Sequence, residues 1–121
     1  MDGRQIPVQY VKCLNDYLNG GELAPLLALF AEHARIERYL WPEPPRVYVG
    51  LEQIEESLLR LPPVGGTFQI TEIQLQGHTV HAWFVTQNFA FPMRGTYRFE
   101  LNEAGQIVEL YISATYTPDT I

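Results

Sequence analysis

The spacing of apolar residues changes abruptly near the middle of the chain, and this change constrains the fold more than any other feature. Before Pro62-Pro63 the apolar residues recur at helical spacing, whereas after Gly65-Gly66 they alternate with polar residues as in a β-strand. The chain has 121 residues, and 46% of them are hydrophobic. This length and composition suffice for one sizeable core, but the chain is too short for two ordinary domains. The sequence therefore predicts a single α+β domain over residues 1–121, with helices packed on a curved antiparallel sheet around an apolar pocket.

The first half predicts three helices and one strand. The first helix runs from Val8 to Leu18 and ends at Asn19-Gly20-Gly21, which tolerate the left-handed backbone of a helix end. A third helix runs from about Leu51 to Leu61. Between them we expect a strand from Ala34 to Leu40, and a short second helix with an apolar stripe formed by Leu23, Leu26, Leu27 and Phe30.

The stretch Trp41-Pro42-Glu43-Pro44-Pro45 follows the predicted strand. Each proline disfavours helical backbone in the residue before it, so we expect an extended loop here. The prolines also expose Trp41, which favours it as the lip of a pocket.

The second half predicts an antiparallel meander, because short turns connect its apolar runs. Its four strands are Thr67–Gln76, Thr79–Phe91, Met93–Asn102 and Gln106–Tyr116. In the first of them the apolar phase shifts between Ile70 and Ile73, which an alternating strand cannot do without turning over. A bulge near Thr71-Glu72 would restore the register and bend the sheet, leaving a concavity that side chains or a ligand must fill.

Charge and motif content exclude several classes of function. Eight Lys and Arg residues stand against fourteen Asp and Glu, and no basic patch could neutralise a nucleic-acid backbone. No segment approaches the roughly 20 apolar residues that cross a bilayer, and the N-terminus does not read as a signal peptide, so we expect a cytoplasmic protein that does not bind membranes. His78 and His81 are three residues apart on a strand and face opposite sides, so we expect no metal site and no cofactor.

The order of elements and several short motifs resemble the nuclear transport factor 2-like superfamily, in its SnoaL-like and ketosteroid isomerase-like branch. The motifs are Leu18-Asn19-Gly20-Gly21-Glu22-Leu23, Leu29-Phe30-Ala31-Glu32-His33-Ala34, Val49-Gly50-Leu51-Glu52-Gln53-Ile54, Tyr97-Arg98-Phe99 and Ala104-Gly105-Gln106-Ile107-Val108. The resemblance covers nearly the whole chain. It implies a cone-shaped, cystatin-like fold with an internal pocket, and it leaves the activity open because the superfamily places many activities on one scaffold.

The catalytic residues of these relatives are not retained here. The resemblance places the general base of ketosteroid isomerases at Arg38, their first-helix tyrosine at Leu14 and their protonated aspartate at Tyr97. The aspartate that SnoaL-like cyclases carry on the last strand falls on Ile112. Of these positions only Tyr97 still offers a hydrogen-bond donor.

Arg38 is the most informative polar residue if this register holds. An inward guanidinium needs a carboxylate, backbone carbonyls or an anionic ligand, and otherwise it reaches the rim or pairs with Glu72. A slip of one residue would instead present Glu37, a candidate general base whose pKa burial would raise. The residues predicted to contact a ligand are Arg38, Tyr97, Leu14, Tyr17, Trp41, Phe99, Leu110 and Ile112.

Three hypotheses for function follow. The first is a pocket protein, homodimeric through the outer sheet face, that binds a small hydrophobic molecule with an acid group near Arg38. The second is an isomerase, cyclase or hydrolase that uses Glu37 or Tyr97. The third is a protein-interaction module with a vestigial cavity, whose outer sheet face carries Tyr111 and Ile107.

Overall fold

The computed structural model describes residues 3–60, 66–89 and 92–117. Three helices and six strands lie in these ranges. The helices are α1 (Gln5–Leu18), α2 (Ala24–Leu27) and α3 (Leu51–Leu59), and the strands are β1 (Phe30–Trp41), β2 (Arg46–Val49), β3 (Thr67–Gln76), β4 (Thr79–Gln87), β5 (Met93–Leu101) and β6 (Ile107–Tyr116). No helix in these ranges has the length and apolar character needed to cross a bilayer.

All six strands form one sheet in the order β2-β1-β6-β5-β4-β3. The predicted meander is present, because β3, β4, β5 and β6 pair in sequence and antiparallel. The pair β1–β6 is parallel, and the sequence analysis did not anticipate it. The long connection between these two strands, which contains α3 and the meander, makes a parallel pairing possible.

Several predicted boundaries differ from those of the structure. The second helix is a single turn, because Phe30 begins β1 instead of completing the helical stripe. β4 ends at Gln87, followed by Asn88 in a left-handed conformation (φ 62°), and the predicted end at Phe91 lies outside the described residues. α3 ends at Leu59, and Leu61 also lies outside the described residues.

The strand β2 was missed by the sequence analysis. Its four residues follow the proline-rich loop and pair antiparallel with β1, so that Val49 lies opposite Arg35 and Arg46 lies opposite Arg38. Two arginines thereby become direct neighbours on the inner face of the sheet, the face that packs against the helices.

A bulge and a glycine bend the sheet. The register between β3 and β4 shifts between Ile70 and Glu72, which confirms the predicted bulge. Gly95 on β5 lies opposite Ala114 on β6, and a Cβ atom added to it would lie 2.8 Å from the Ala114 Cα and closer still to the Ser113 carbonyl oxygen. Only glycine allows the two backbones to approach so closely.

Helix α1 closes the inner face of the sheet. Its residues Tyr10 and Leu14 are buried against the sheet. Asn15 fixes the helix to β3 through two hydrogen bonds, because its Nδ2 donates to the Phe68 carbonyl oxygen at 2.9 Å and its Oδ1 accepts from the Phe68 N–H at 2.7 Å. The core therefore lies between α1 and the concave side of the sheet.

We expect Gly95→Ala to lower the free energy of unfolding by about 1–3 kcal/mol, because the added methyl group forces β5 and β6 apart. Urea unfolding followed by circular dichroism measures this change. Thr96→Ala, the neighbouring substitution on the outer face, is the matched control and should change the stability much less. Equal unfolding midpoints for the two variants would contradict the proposed close approach.

Candidate ligand site

A row of side chains crosses the inner face of the sheet. Arg38 on β1 lies opposite Arg46 on β2 and Ile112 on β6, and Ile112 lies opposite Tyr97 on β5. Directly opposed residues project to the same face of a sheet. The row therefore runs from two arginines at one edge to an aromatic side chain in the core, with the buried Leu110 on the same face.

Tyr97 is the centre of the aromatic core and is 2% exposed. Its ring stacks on Phe84 with 4.4 Å between the ring centroids. Tyr10 of α1 packs edge-on against Tyr97 and Phe99, at centroid distances of 5.3 and 5.5 Å. These contacts hold the two tyrosines in fixed orientations, as expected for edge-to-face and stacked aromatic pairs.

Tyr10 and Tyr97 are buried residues whose hydroxyl groups are potential donors. Burial raises the pKa of Tyr97 well above its usual value, and the nearby Tyr10 raises it further. Burial also raises the pKa of Tyr10, and the positive charge of Arg38 opposes part of that rise, so Arg38 acts on this hydroxyl. Within the described ranges neither hydroxyl has a hydrogen-bond partner. These two phenols can therefore donate to a polar atom of a ligand that reaches them.

A charged cleft of about 500 Å³ lies at the Arg38 end of the row, between the edge of the sheet and α3. The guanidinium of Arg38 lies over the Tyr48 ring at 5.9 Å from its centroid. This cation–π contact orients Arg38 toward the cleft. The residues that line it are Arg38, Glu43, Arg46, Tyr48, Gln53, Glu56, Ser57 and Arg60.

The other predicted ligand contacts lie in different surroundings. Leu14, Phe99 and Leu110 are buried and pack within the core. Tyr17 is partly buried, and its hydroxyl donates to the Leu58 carbonyl oxygen at 3.0 Å, which ties α1 to α3. Trp41, at the end of β1, is 72% exposed. The structure thus brings Arg38, Ile112 and Tyr97 into one row and leaves Trp41 in solvent.

Glu37 lies on the outer face of the sheet. Its carboxylate forms an ion pair with Arg35 and accepts a hydrogen bond of 3.5 Å from the Tyr39 hydroxyl, and its side chain is 20% exposed. Alternation along β1 places Arg38 on the inner face with Ile36 and places Glu37 on the opposite face.

Two sequence-based expectations about particular residues are wrong. Arg38 does not pair with Glu72, because β6, β5 and β4 separate β1 from β3. Ile107 does not belong to the outer face, because it is fully buried in the core beside Phe30. Tyr111 does lie on that face, where it contacts the Tyr39 ring and lies 5.0 Å below the Arg98 guanidinium.

Of the eight described residues that line the cleft, the sequence predicted only Arg38; the seven that were missed include Arg46 and Arg60, and Tyr10 was also not among the predicted site residues. A signal for Arg46 was present, because Arg46-Val47-Tyr48-Val49 alternates like a strand. The preceding prolines obscured it. No local pattern reports that β2 and the end of α3 meet at one cleft, because this contact depends on the tertiary fold.

We expect Tyr97→Phe to leave the free energy of unfolding unchanged or to raise it by about 1 kcal/mol, because it removes a hydroxyl that has no hydrogen-bond partner among the described residues. Tyr17→Phe is the matched variant and should lower it by about 1 kcal/mol, because it removes the hydrogen bond to Leu58. Urea unfolding of both variants tests the comparison. A larger loss in Tyr97→Phe than in Tyr17→Phe would show that the Tyr97 hydroxyl has a structural partner.

No protein-family model and no curated protein sequence matches the chain, but many solved structures share its fold. A proposed ketosteroid isomerase from Kribbella flavida has 15% identity and a TM-score of 0.74, with 98% of this chain and 80% of that chain covered. A proposed polyketide cyclase from Sinorhizobium meliloti has 18% identity and a TM-score of 0.69, with 93% and 100% covered. A nuclear transport factor 2-like protein of unknown function from Cytophaga hutchinsonii has 14% identity and a TM-score of 0.64, with 98% and 92% covered. At these identities the likeness concerns the fold alone, and the chain has the fold of the nuclear transport factor 2-like superfamily.

Proposed function

We propose that the chain is a small-molecule pocket protein, and that its ligand is a hydrophobic molecule with an acid group that binds next to Arg38. The observation that carries the proposal is the inner-face row from Arg38 through Ile112 to Tyr97. It brings a cation, an apolar side chain and a buried donor into line, which matches a ligand that has an acid at one end and an apolar body.

The donor groups in and beside the row support this proposal. The hydroxyl groups of Tyr10 and Tyr97 have no hydrogen-bond partner in the described part of the chain, so both can donate to a bound molecule. Arg38 is partly buried and has a ring contact but no ion pair within the described ranges. An acid group beside Arg38 would neutralise the guanidinium and could accept from the Tyr10 hydroxyl, on which Arg38 acts.

The size of the charged cleft also supports the proposal. Its volume of about 500 Å³ lies within the range of small-molecule sites. Polar groups dominate the described lining of the cleft. The apolar side chains around Tyr97 begin at β6, the strand next to β1. The acid group is therefore assigned to the cleft, and the apolar body to the core side of Arg38.

An isomerase, cyclase or hydrolase is the second candidate, favoured by the buried donors Tyr10 and Tyr97. Such donors polarise a carbonyl group or stabilise an oxyanion in a dry site. The candidate base Glu37 gives no support, because it faces outward and pairs with Arg35. The Kribbella and Sinorhizobium neighbours are named as enzymes of these classes, but their likeness extends to the fold only.

The proposed pocket protein is also a homodimer that associates through the outer face of the sheet. This face combines exposed Val47 and Val49 with Tyr39 and Tyr111, whose rings are 5.2 Å apart. Aromatic residues beside aliphatic ones are common in the centre of protein interfaces. Protein–protein association by this face is also what the interaction-module alternative requires, and sedimentation of the purified chain separates a dimer from a monomer.

We expect the chain to bind 1-naphthoate, a flat apolar molecule with one carboxylate, and Arg38→Gln to weaken this binding about tenfold by removing a charge-assisted hydrogen bond. Fluorescence titration of the naphthalene ring measures the affinity. Mass spectrometry of a denatured extract from gently purified protein should in addition detect a bound hydrophobic acid.

Arg94→Gln is the control, because Arg94 is an exposed arginine on β5 that projects to the outer face. It should leave the affinity for 1-naphthoate unchanged. Equal losses in Arg38→Gln and Arg94→Gln would indicate nonspecific attraction of the anion, and an absence of binding together with an empty extract would refute the proposed function.

A further inference from the structure

Three arginines reach the charged cleft from three different elements. Arg38 comes from β1, Arg46 from β2, and Arg60 is the residue that follows α3. They are three of the eight basic residues of a chain whose net charge is −6. In the described part of the chain none of the three forms an ion pair, whereas Arg35 and Arg98 on the outer face both do.

The pair of Arg38 and Arg46 is unfavourable in the ligand-free protein. The two residues lie directly opposite each other on antiparallel strands, where like charges destabilise the pairing. Elsewhere the same sheet places carboxylates beside its arginines, as it does with Glu100 and Glu109 around Arg98. Glu43 and Glu56 line the same cleft, but in the described part of the chain neither forms an ion pair with Arg38 or Arg46, which leaves both guanidinium groups available to a ligand.

Arg60 has an additional, local role. A positive charge at the C-terminal end of α3 interacts favourably with the helix dipole, so its presence there needs no ligand. That argument does not apply to Arg38 or Arg46, which lie in strands. The convergence of all three, and not the presence of any one of them, is what requires an explanation.

The uncharged polar residues of the cleft have backbone partners. Gln53 Oε1 accepts from the Val49 N–H at 2.8 Å, and Ser57 Oγ donates to the Ile54 carbonyl oxygen at 2.7 Å. The carboxylates of Glu43 and Glu56 line the cleft without forming an ion pair to the arginines. The guanidinium groups are thus the charged donors available to an incoming anion, and Nε2 of Gln53 provides uncharged ones.

The number of guanidinium groups favours one shape of anion. Each guanidinium presents a planar fork of N–H donors that suits two oxygens of a carboxylate, phosphate or sulfate. A carboxylate has only two oxygens and is approached in its plane, whereas a tetrahedral ester has three terminal oxygens on three sides. Since Glu43 and Glu56 also line the cleft, the anion need not carry two charges.

We propose that the head group of the ligand is a tetrahedral oxyanion, a sulfate or phosphate monoester, held by Arg38, Arg46 and Arg60 together. This inference rests on the proposed function, because it assigns the acid group of the same ligand. It adds Arg46 and Arg60 as residues that determine specificity, and it excludes a simple carboxylate as the preferred head group.

The test compares 1-naphthyl sulfate, 1-naphthyl phosphate and 1-naphthoate, which share one apolar body, at constant ionic strength. We expect at least one ester to bind about tenfold or more tightly than the carboxylate, because Arg46 and Arg60 are engaged in addition to Arg38. Arg46→Gln and Arg60→Gln should each remove this preference and leave the affinity for 1-naphthoate within about twofold, whereas Arg94→Gln should change neither quantity.

The two esters separate the sources of the oxyanion. The second pKa of a phosphate monoester is about 6, so its charge changes between pH 5 and 7.5, whereas that of the sulfate ester does not. Preference for the phosphate that grows over this range supports a phosphate ligand, and equal affinities at pH 5 support recognition of three oxygens. The inference is overturned if 1-naphthoate binds as tightly as both esters, or if the preference for an ester survives Arg46→Gln and Arg60→Gln. In either case, binding of 1-naphthoate that depends on Arg38 would still support the proposed function.

A second readout needs no ligand. Arg46→Gln should raise the thermal midpoint of the ligand-free protein by about 2 °C, because it removes the repulsion of Arg38. Arg94→Gln should not raise it. A midpoint lowered by Arg46→Gln would show that Arg46 has a stabilising partner and would overturn the argument from unpaired charge.

Discussion

The register that aligns β1, β6 and β5 is the constraint on which the rest of the structure depends. It places Arg38, Ile112 and Tyr97 side by side on the inner face. Because side chains alternate along a strand, a shift of one residue in β1 would exchange Arg38 for Glu37 and turn Ile36 away from the core. The parallel pairing with β6 therefore decides both the packing of the core and the chemistry of the candidate site.

The arginines on the two faces of the sheet differ in their charged partners. On the outer face Arg98 lies between Glu100 and Glu109 and over the Tyr111 ring, so its charge is compensated by neighbours. On the inner face Arg38 and Arg46 adjoin each other, and in the described ranges neither forms an ion pair, although Glu43 and Glu56 line the same cleft. The first arrangement compensates the charge within the protein, whereas the second leaves guanidinium donors that an anion could bind.

Local patterns in the sequence were sufficient to predict the meander and its curvature. The bounds of β3 agree with the structure, and the change of apolar phase after Ile70 gave the correct place of the bulge. Such features follow from side-chain alternation and turn residues, which act within a few positions. The burial of Tyr97 followed from the same alternation in β5.

The remaining features depend on contacts between distant segments. The strand β2 contains only four residues after a run of prolines, and it is stabilised by pairing with β1. Neither its partner nor the approach of Arg60 to Arg46 can be read from nearby residues. The inward turn of Ile107 likewise depends on a shift of register between β5 and β6 at Leu101, which the alternation of the last strand does not reveal. The dimer, the cytoplasmic location and the ligand stay predictions.

The most direct test of the account is a nuclear magnetic resonance titration of protein labelled with 13C at the tyrosine Cζ. This signal responds to a change in the surroundings of the tyrosine, such as contact with the naphthalene ring, and the rings of Tyr39 and Tyr111 on the outer face provide an internal control. With 1-naphthyl sulfate, the account predicts shifts at Tyr10 and Tyr97 and none at the two outer rings. Shifts confined to Tyr39 and Tyr111 at saturation would contradict a ligand site on the inner face.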